Sequence, residues 1–382
     1  MSTSFEDIVR QEFSHIKSNY FNTAYFGPSP ISSKQNVLNF LEKELDPSFY
    51  DYPTWFNIAE ETRVLISKLL NCSPDNITHS TSVSDVNNTV ANGINFNKGD
   101  VISAINNDYP SNILPWMLKA KNDPHVDFQT LTLDHTDDVP TAEWISKKLS
   151  PKTKVFCISY VTFDTGKKVD LIQIGKLMKE RNILFLVDAT QALGGMPITQ
   201  EELSFIDVLS CASYKWLLGP YGHAFAYFSD RAQEIIHHTN ANWLTSPTST
   251  NVNNLLEYTT ETVPGARKYD RGQTSNMLVS SCLKGGIELL NKLGLDNIEQ
   301  YNQTLRNHFL NNFHPEKYHL ITPRSSTSNI VALREKNPLS SKLKEKLKEE
   351  NIDVSVRQGN VRLSFHLFNT LDQVNHLLNV IN

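Results

Sequence analysis

The sequence is poor in cysteine and lacks any concentration of charge of one sign. Its four cysteines, Cys72, Cys157, Cys211 and Cys282, are scattered and form no CxxC or CxxH pattern. That spacing excludes a disulfide framework and gives no reason to expect a zinc or other metal site. Cys157 and Cys211 lie inside apolar runs and read as small buried hydrophobes. The net charge of −5 comes from interspersed acids and bases, and the densest basic cluster, Lys342 to Lys348, is mixed with glutamates in a helical pattern. Neither a nucleic-acid partner nor a polybasic membrane surface is expected. No apolar run approaches the roughly 20 residues of a membrane span. Met1 to Asp7 contains no basic region leading into an apolar one. The expected location is the cytoplasm, and no internal repeat is present.

A length of 382 residues allows two or three domains with substantial cores. From Asn76 to Ser229 short apolar runs alternate with amphipathic stretches. The runs Ile77 to His79, Val101 to Ile105, Phe128 to Leu133, Val155 to Val161, Ile183 to Val187, Val208 to Ala212 and Ala224 to Phe228 read as strands. Val86 to Asn95, Asn112 to Asn122 and Leu171 to Arg181 carry helical spacing. Such alternation predicts an α/β fold with a mostly parallel sheet covered on both faces, whose ligands sit beyond the carboxyl ends of the strands. Asn240 to Gly265 is polar and reads as a long loop, and such loops are commonly functional. Helical patterns at Leu278 to Leu293 and Ile298 to Phe313 then lead into a smaller α+β unit. Its strands are expected at Ser328 to Leu333, Asp353 to Val356 and Asn360 to Ser364, and its helices at Leu339 to Glu350 and Leu371 to Ile381. The expected division is 1–250 for an N-terminal segment and large domain, and 251–382 for a connecting region and small domain.

Two short motifs carry the chemistry. Asp188 closes the apolar run Ile183 to Val187, and Lys215 follows the run Val208 to Ala212 in the context Ser213-Tyr214-Lys215-Trp216-Leu217-Leu218-Gly219-Pro220. A pyridoxal phosphate enzyme needs such a pair: a lysine amine for a Schiff base and a carboxylate that keeps the pyridine nitrogen protonated. Read singly, Lys215 could be a surface lysine and Asp188 a helix cap. Gln191 would face the same side and could donate to the cofactor's phenolic oxygen. Ser80 to Val86 offers hydroxyls and helix N-terminal amides suited to phosphate, with Val83 and Ser84 as neighbours, or it is a plain cap. Tyr214 adds a hydroxyl beside the lysine. Tyr109, in Asp108-Tyr109-Pro110-Ser111-Asn112, could stack on the cofactor ring or pack under a helix. Arg362 could clamp a carboxylate or form an interdomain salt bridge.

These residues resemble the class V aminotransferase family of fold-type I pyridoxal phosphate enzymes, a group with cysteine desulfurases, kynureninases and isopenicillin N epimerase-like members. The resemblance spans nearly the whole chain, from Tyr20 to Pro28 through Val187 to Gln191 and Ser213 to Leu217 to Val361 to Thr370. It implies that Lys215 carries the cofactor, Asp188 partners the ring nitrogen, Gln191 donates to the ring oxygen and Arg362 holds an amino acid α-carboxylate. Ala24 and Tyr25 would lie on the substrate side. From composition, a side-chain pocket is expected to draw on Tyr25, Phe26, Tyr109, Phe163 and the 240–265 loop, which suits an aromatic or apolar group. Tyr109 stands where desulfurases place a stacking histidine. Family members are generally homodimers that share the active site across the interface. Tyr269 to Asn276 resembles the partner's contribution to the phosphate site, with Thr274 as the candidate donor. Two departures matter. Val354 to Asn360 contains no desulfurase-type loop cysteine, and Phe163 replaces an asparagine common before the aspartate strand. Transamination of an L-amino acid is the expected reaction. A C–S β-lyase or epimerase without a loop cysteine is the alternative, and a non-catalytic cofactor-binding scaffold the remaining one.

Overall fold

In chain order the strands are β1 (Asn19–Tyr20), β2 (Ile77–Ser80), β3 (Asp100–Ile105), β4 (Val126–Leu131), β5 (Thr153–Ser159), β6 (Leu184–Asp188), β7 (Val208–Ala212), β8 (Ala224–Phe228), β9 (Tyr318–Leu320), β10 (Ile330–Glu335), β11 (Ile352–Asp353), β12 (Ser355–Arg357) and β13 (Asn360–Ser364). They come from a computed structural model that describes residues 4–46, 48, 57–135, 138–272, 276–337 and 343–382. Seven of them form the central sheet, ordered β2-β8-β7-β6-β5-β3-β4. All its pairs are parallel except those of β8, which runs against both β2 and β7.

The near-continuous apolar runs of β5, β6 and β7 follow from burial on both faces. Phe156 and Ile158 with Phe185 and Val187 join one apolar cluster, whereas Val155 and Cys157 with Leu184 and Leu186 join another. Alternate residues of each strand point to opposite sides, so both must be apolar when helices cover both faces. Val83–Gly93 packs against Leu114–Asn122, while Met277–Leu293 packs on Ile31–Glu44 and Asn57–Leu70.

A four-stranded antiparallel sheet, β12-β13-β10-β9, builds the smaller unit around Leu333, Leu363, Phe365, Val374 and Leu377. The N-terminal segment joins it to the central sheet. β1 pairs in parallel with β11, the Ala24 amide donates to Ser364 Oγ at 3.1 Å, and the Gly27 amide donates to the Tyr214 carbonyl at 2.8 Å. The chain start therefore spans from the small sheet to the turn that holds Lys215.

Several boundaries differ from expectation for local reasons. The helix expected from Val86 begins at Val83, because the Ser82 hydroxyl accepts from the Asp85 amide and caps it. The strand expected at Phe128 to Leu133 is β4, shifted two residues earlier. The single strand expected at Asp353 to Val356 is split into β11 and β12, which join different sheets. Asn240 to Gly265 holds three short 3₁₀ turns, Trp243–Thr245, Pro247–Thr250 and Val252–Asn254. Part of the helix expected at Leu339 to Glu350 lies outside the described residues, and Leu343–Glu349 is helical. Among the described residues no helix is long and apolar enough to cross a membrane.

A buried ion pair ties the connecting segment to the sheet edge. Arg63, 1 % exposed, donates from Nη2 to Asp270 Oδ2 at 2.6 Å, and Asp270 Oδ1 accepts from the Thr78 hydroxyl and the His79 amide at 2.8 Å each. Loss of the Asp270 charge leaves this buried cation only Glu60, 3.3 Å from Nε, as a carboxylate partner. Asp270→Asn is therefore expected to lower unfolding free energy by about 3 kcal/mol, seen as a clear fall in the thermal midpoint. An unchanged midpoint would mean that the pair contributes nothing to the fold.

Candidate functional site

The site lies where the parallel strands end. β6 stops at Asp188 and its parallel neighbour β7 stops at Ala212, three residues before Lys215. β3 leads to Tyr109, β5 leads to Phe163, and β2 leads to the helix at Val83. Carboxyl ends of parallel strands gather loops from both sides of the sheet, which is why ligands bind there. A cavity of about 290 Å³ opens at this edge. Of the residues expected to hold the cofactor, Lys215, Asp188, Gln191, Tyr109, Tyr214, Val83 and Ser84 all line it. Thr274 lies outside the described residues.

Lys215 is 6 % exposed, and its ammonium sits 5.4 Å from the centroid of the Tyr109 ring and 5.5 Å from that of Tyr214. Burial pushes its pKa down to about 8, against the opposing attraction of the Asp188 carboxylate. A surface lysine is thus ruled out, and a fraction of the amine is free near neutral pH. The turn that presents it is tightly built. A Cβ placed on Gly27 would lie 1.8 Å from the Lys215 carbonyl oxygen, so only glycine permits this approach of the N-terminal segment. Leu218 adopts φ 58°, a left-handed conformation costly for a bulky residue and held here by complete burial. Beneath the turn, the Ser213 hydroxyl lies 2.6 Å from His223 Nδ1 and His223 Nε2 lies 3.0 Å from His79 Nδ1. Burial pushes both imidazoles well down, so the chain of hydrogen bonds is neutral.

Asp188 is buried, and its burial raises the carboxyl pKa while the Thr190 amide, 2.8 Å from Oδ1, and the Lys215 charge oppose that rise. The cap expected as the alternative role is realised only as this turn contact, since no helix starts at Ala189. Gln191 is largely committed: its amide nitrogen donates to the Ala24 carbonyl at 3.0 Å and its oxygen accepts from Trp216 Nε1 at 2.9 Å. One N–H remains for a ligand oxygen. Tyr109 packs edge-on against Phe163 at 5.3 Å between centroids.

The helix Val83–Gly93 points its first turn at the cavity, and the N–H groups there have no partner within the helix. Thr81 and Ser82 join Val83 and Ser84 in the lining. The Ser84 hydroxyl donates to Ser111 Oγ at 2.9 Å, and Asp85 pairs with Arg271 while accepting from Ser80 and Thr81 hydroxyls.

Arg362, 2 % exposed, stands behind Phe163 rather than in the cavity wall. Its Nη1 donates to the Phe163 carbonyl, while Nε and Nη2 are buried without any partner. The interdomain salt bridge weighed from sequence is absent among the described residues. Unpartnered buried guanidinium nitrogens are costly and mark a place for an anion. Ala24 and Tyr25 also lie outside the cavity wall: Ala24 touches Gln191 through its carbonyl, and Tyr25 is half-exposed. No cysteine lines the cavity, and burial raises the thiol pKa of Cys72 to about 11 and that of Cys282, Cys157 and Cys211 upward as well.

Sequence reasoning passed over Asp108. Its carboxylate accepts from the Ser159 hydroxyl at 2.6 Å, the Ser159 amide at 2.8 Å and the Tyr109 amide at 2.6 Å, and burial lifts its pKa to about 6. It anchors the loop carrying Tyr109 to β5. The signal was the acid directly before the aromatic residue at a strand end.

A buried lysine and aspartate at adjacent parallel strand ends, with a helix N-terminus across the cavity, define the class as fold-type I pyridoxal phosphate enzymes. More particularly, the chain belongs to the class-V aminotransferase family, whose model matches residues 54–377. It is 24% identical over 341 residues to an uncharacterized aminotransferase of Bacillus subtilis, covering 88% of this chain and 87% of that one. A probable cysteine desulfurase of Pyrococcus abyssi is 25% identical over 339 residues, covering 84% and 82%. Among solved structures, the cystine C–S lyase C-DES in complex with cysteine persulfide matches with a TM-score of 0.87 at 18% identity, covering 97% of this chain and 99% of that one. The cysteine desulfurase of Thermococcus onnurineus matches at 0.83 and 19%, covering 100% and 97%.

The Lys215 environment makes a pH prediction. Below about pH 8 the amine is protonated and unreactive, and above it the free amine dominates. Acetylation of Lys215, followed by mass spectrometry, is expected to rise through a midpoint near 8. Asp188→Asn removes the carboxylate that favours the ammonium and should move the midpoint lower. A midpoint near that of ordinary lysines would contradict this environment.

Proposed function

We propose that the protein is a cytoplasmic pyridoxal phosphate enzyme that transaminates an L-amino acid and works as a homodimer. The observation that carries the reading is the buried Lys215 amine, depressed in pKa and electrostatically coupled to Asp188 in one cavity. The unpartnered Arg362 nitrogens support an amino acid carboxylate as the second ligand.

The residues fit the cofactor. Lys215 would hold it covalently, Asp188 would face the ring nitrogen, Tyr109 the ring face and Gln191, through its remaining N–H, the phenolic oxygen. Val83, Ser84 and Tyr214 would take the phosphate, with Thr274 donated by the partner subunit. When bound, pyridoxal phosphate supplies an aldehyde that captures amines and a ring that accepts the electron pair left at the substrate Cα. The chain's own residues supply the rest. Freed when the substrate amine takes its place on the cofactor, Lys215, whose free amine has a pKa near 8, would take and return the Cα proton as a general base matched to neutral pH. Asp188 would keep the ring nitrogen protonated, so that the ring can accept that electron pair, in a buried setting where electrostatics act strongly. Arg362 fixes the substrate by its α-carboxylate, with Ala24 and Tyr25 beside it. Residues 1–250 and 251–382 are proposed as the two domains, with the substrate held between them.

A second reading, a C–S β-lyase or epimerase, draws on the likeness to the cystine C–S lyase and on the lack of any cysteine in the cavity wall. Products separate the two. A transaminase leaves pyridoxamine phosphate and a keto acid, a lyase releases pyruvate with ammonia or a sulfur product, and a scaffold changes nothing. For the attachment point, borohydride reduction of the protein with pyridoxal phosphate is expected to label Lys215, and Lys215→Ala to abolish the label. A label that persists in the variant at another lysine would sink the assignment.

A further inference from the structure

The hairpin β12–β13 presents two arginines on one face. Ser355 stands opposite Arg362 and Arg357 stands opposite Asn360. Opposed residues, and residues two apart along a strand, project to the same side, so Arg357 and Arg362 share a face. The register is fixed by a two-residue turn, Gln358 and Gly359, at φ 48° and 79°. On the same face the Ser355 hydroxyl donates to Asn22 Oδ1 at 2.5 Å, which sets the hairpin against the N-terminal segment. There the Arg357 guanidinium lies 5.6 Å from the centroid of the Tyr25 ring, which is 57% exposed.

Neither arginine has an ion-pair partner among the described residues. Arg357 donates to the Val356 carbonyl at 3.0 Å, and among the described residues no carboxylate lies within ion-pair distance of either guanidinium. Burial, and then the charge of Arg357, pull the Arg362 pKa down to about 10, against the weaker opposing pull of Asp164 and Tyr20. The Arg357 charge also acts on Lys215, so the pair and the lysine share one electrostatic field. Two like charges held on one face are unfavourable until anions join them. One carboxylate fills one guanidinium fork, which leaves the second cation unanswered.

We propose that the substrate is an L-amino acid whose side chain ends in a second carboxylate, with Arg362 holding the α-carboxylate and Arg357, stacked on Tyr25, holding the distal one. This rests on the reading of the protein as a pyridoxal phosphate enzyme of amino acids. The hairpin β12–β13 thereby binds the far end of the substrate through the last residue of β12.

Calorimetric titration of the purified protein with glutarate and with butyrate tests the pair without turnover, since the two ligands differ by one carboxylate. Glutarate is expected to bind about tenfold more tightly, the gain of one charge-assisted pair, and Arg357→Met should bring the two constants together. Equal binding in the wild type would overturn the proposal whatever the variant does. Equal weakening of both ligands in Arg357→Met would overturn it too, because both arginines would then serve a single carboxylate. Absorbance of the bound cofactor with aspartate, glutamate, 2-aminoadipate and alanine separates this from the enzyme reading. If alanine acts as well as the acidic amino acids, the substrate class fails alone; if no amino acid changes the spectrum, the enzyme reading fails and takes the proposal with it.

Discussion

The desolvation of Lys215 beside Asp188 is the constraint on which the rest of the structure depends. A buried ammonium is costly, and the fold offsets part of that cost with one carboxylate rather than a hydrogen-bonded cage. The result is an amine that loses its proton within reach of neutral pH. Adjacent parallel strands make this possible, because they end together and project their next residues to the same edge. A solvated lysine would stay protonated, and a fully paired one would stay inert.

The apparatus around that pair is positional. Gly27 lets the N-terminal segment touch the Lys215 backbone, the Ser213–His223–His79 chain fills the space beneath it, and Asp108 fastens the Tyr109 loop to β5. None of these groups needs to touch a ligand to matter. The same N-terminal segment reaches the small sheet through Ser364, two residues from Arg362. Lys215, in the turn after β7, and Arg362, on β13, are thus set relative to one another by residues 20–27. Lys215 and Arg362 therefore share one mechanical link.

Much of this was legible in the sequence, and the rest was not for physical reasons. The central strands were readable because burial on both faces leaves nearly unbroken apolar runs, with Gly, Asn and Asp between them. The pairing of Asp188 with Lys215 followed from their positions at consecutive strand ends. The helices Ile31–Glu44 and Asn57–Leu70 were missed. Ile31–Glu44 buries only Ser33 completely, so its apolar period is weak. For Arg362, the residues alone favoured a salt bridge and the family resemblance implied a carboxylate clamp; among the described residues it has no ion pair, and two of its buried nitrogens are unpartnered. Gly27 was invisible in its role, because the contact that demands it joins segments far apart in the chain. The pairing of Arg357 with Arg362 required the strand register, which a turn of two residues fixes and composition does not reveal.

The central claim is that Lys215 and Asp188 form a pyridoxal phosphate site that processes amino acids. The most direct test is the visible absorbance of the purified protein, recorded with pyridoxal phosphate and then with L-amino acids, with the cofactor product identified afterwards. The account predicts a yellow band that depends on Lys215 and converts to pyridoxamine phosphate when substrate is added. A protein that shows no such band even with pyridoxal phosphate in excess would contradict it.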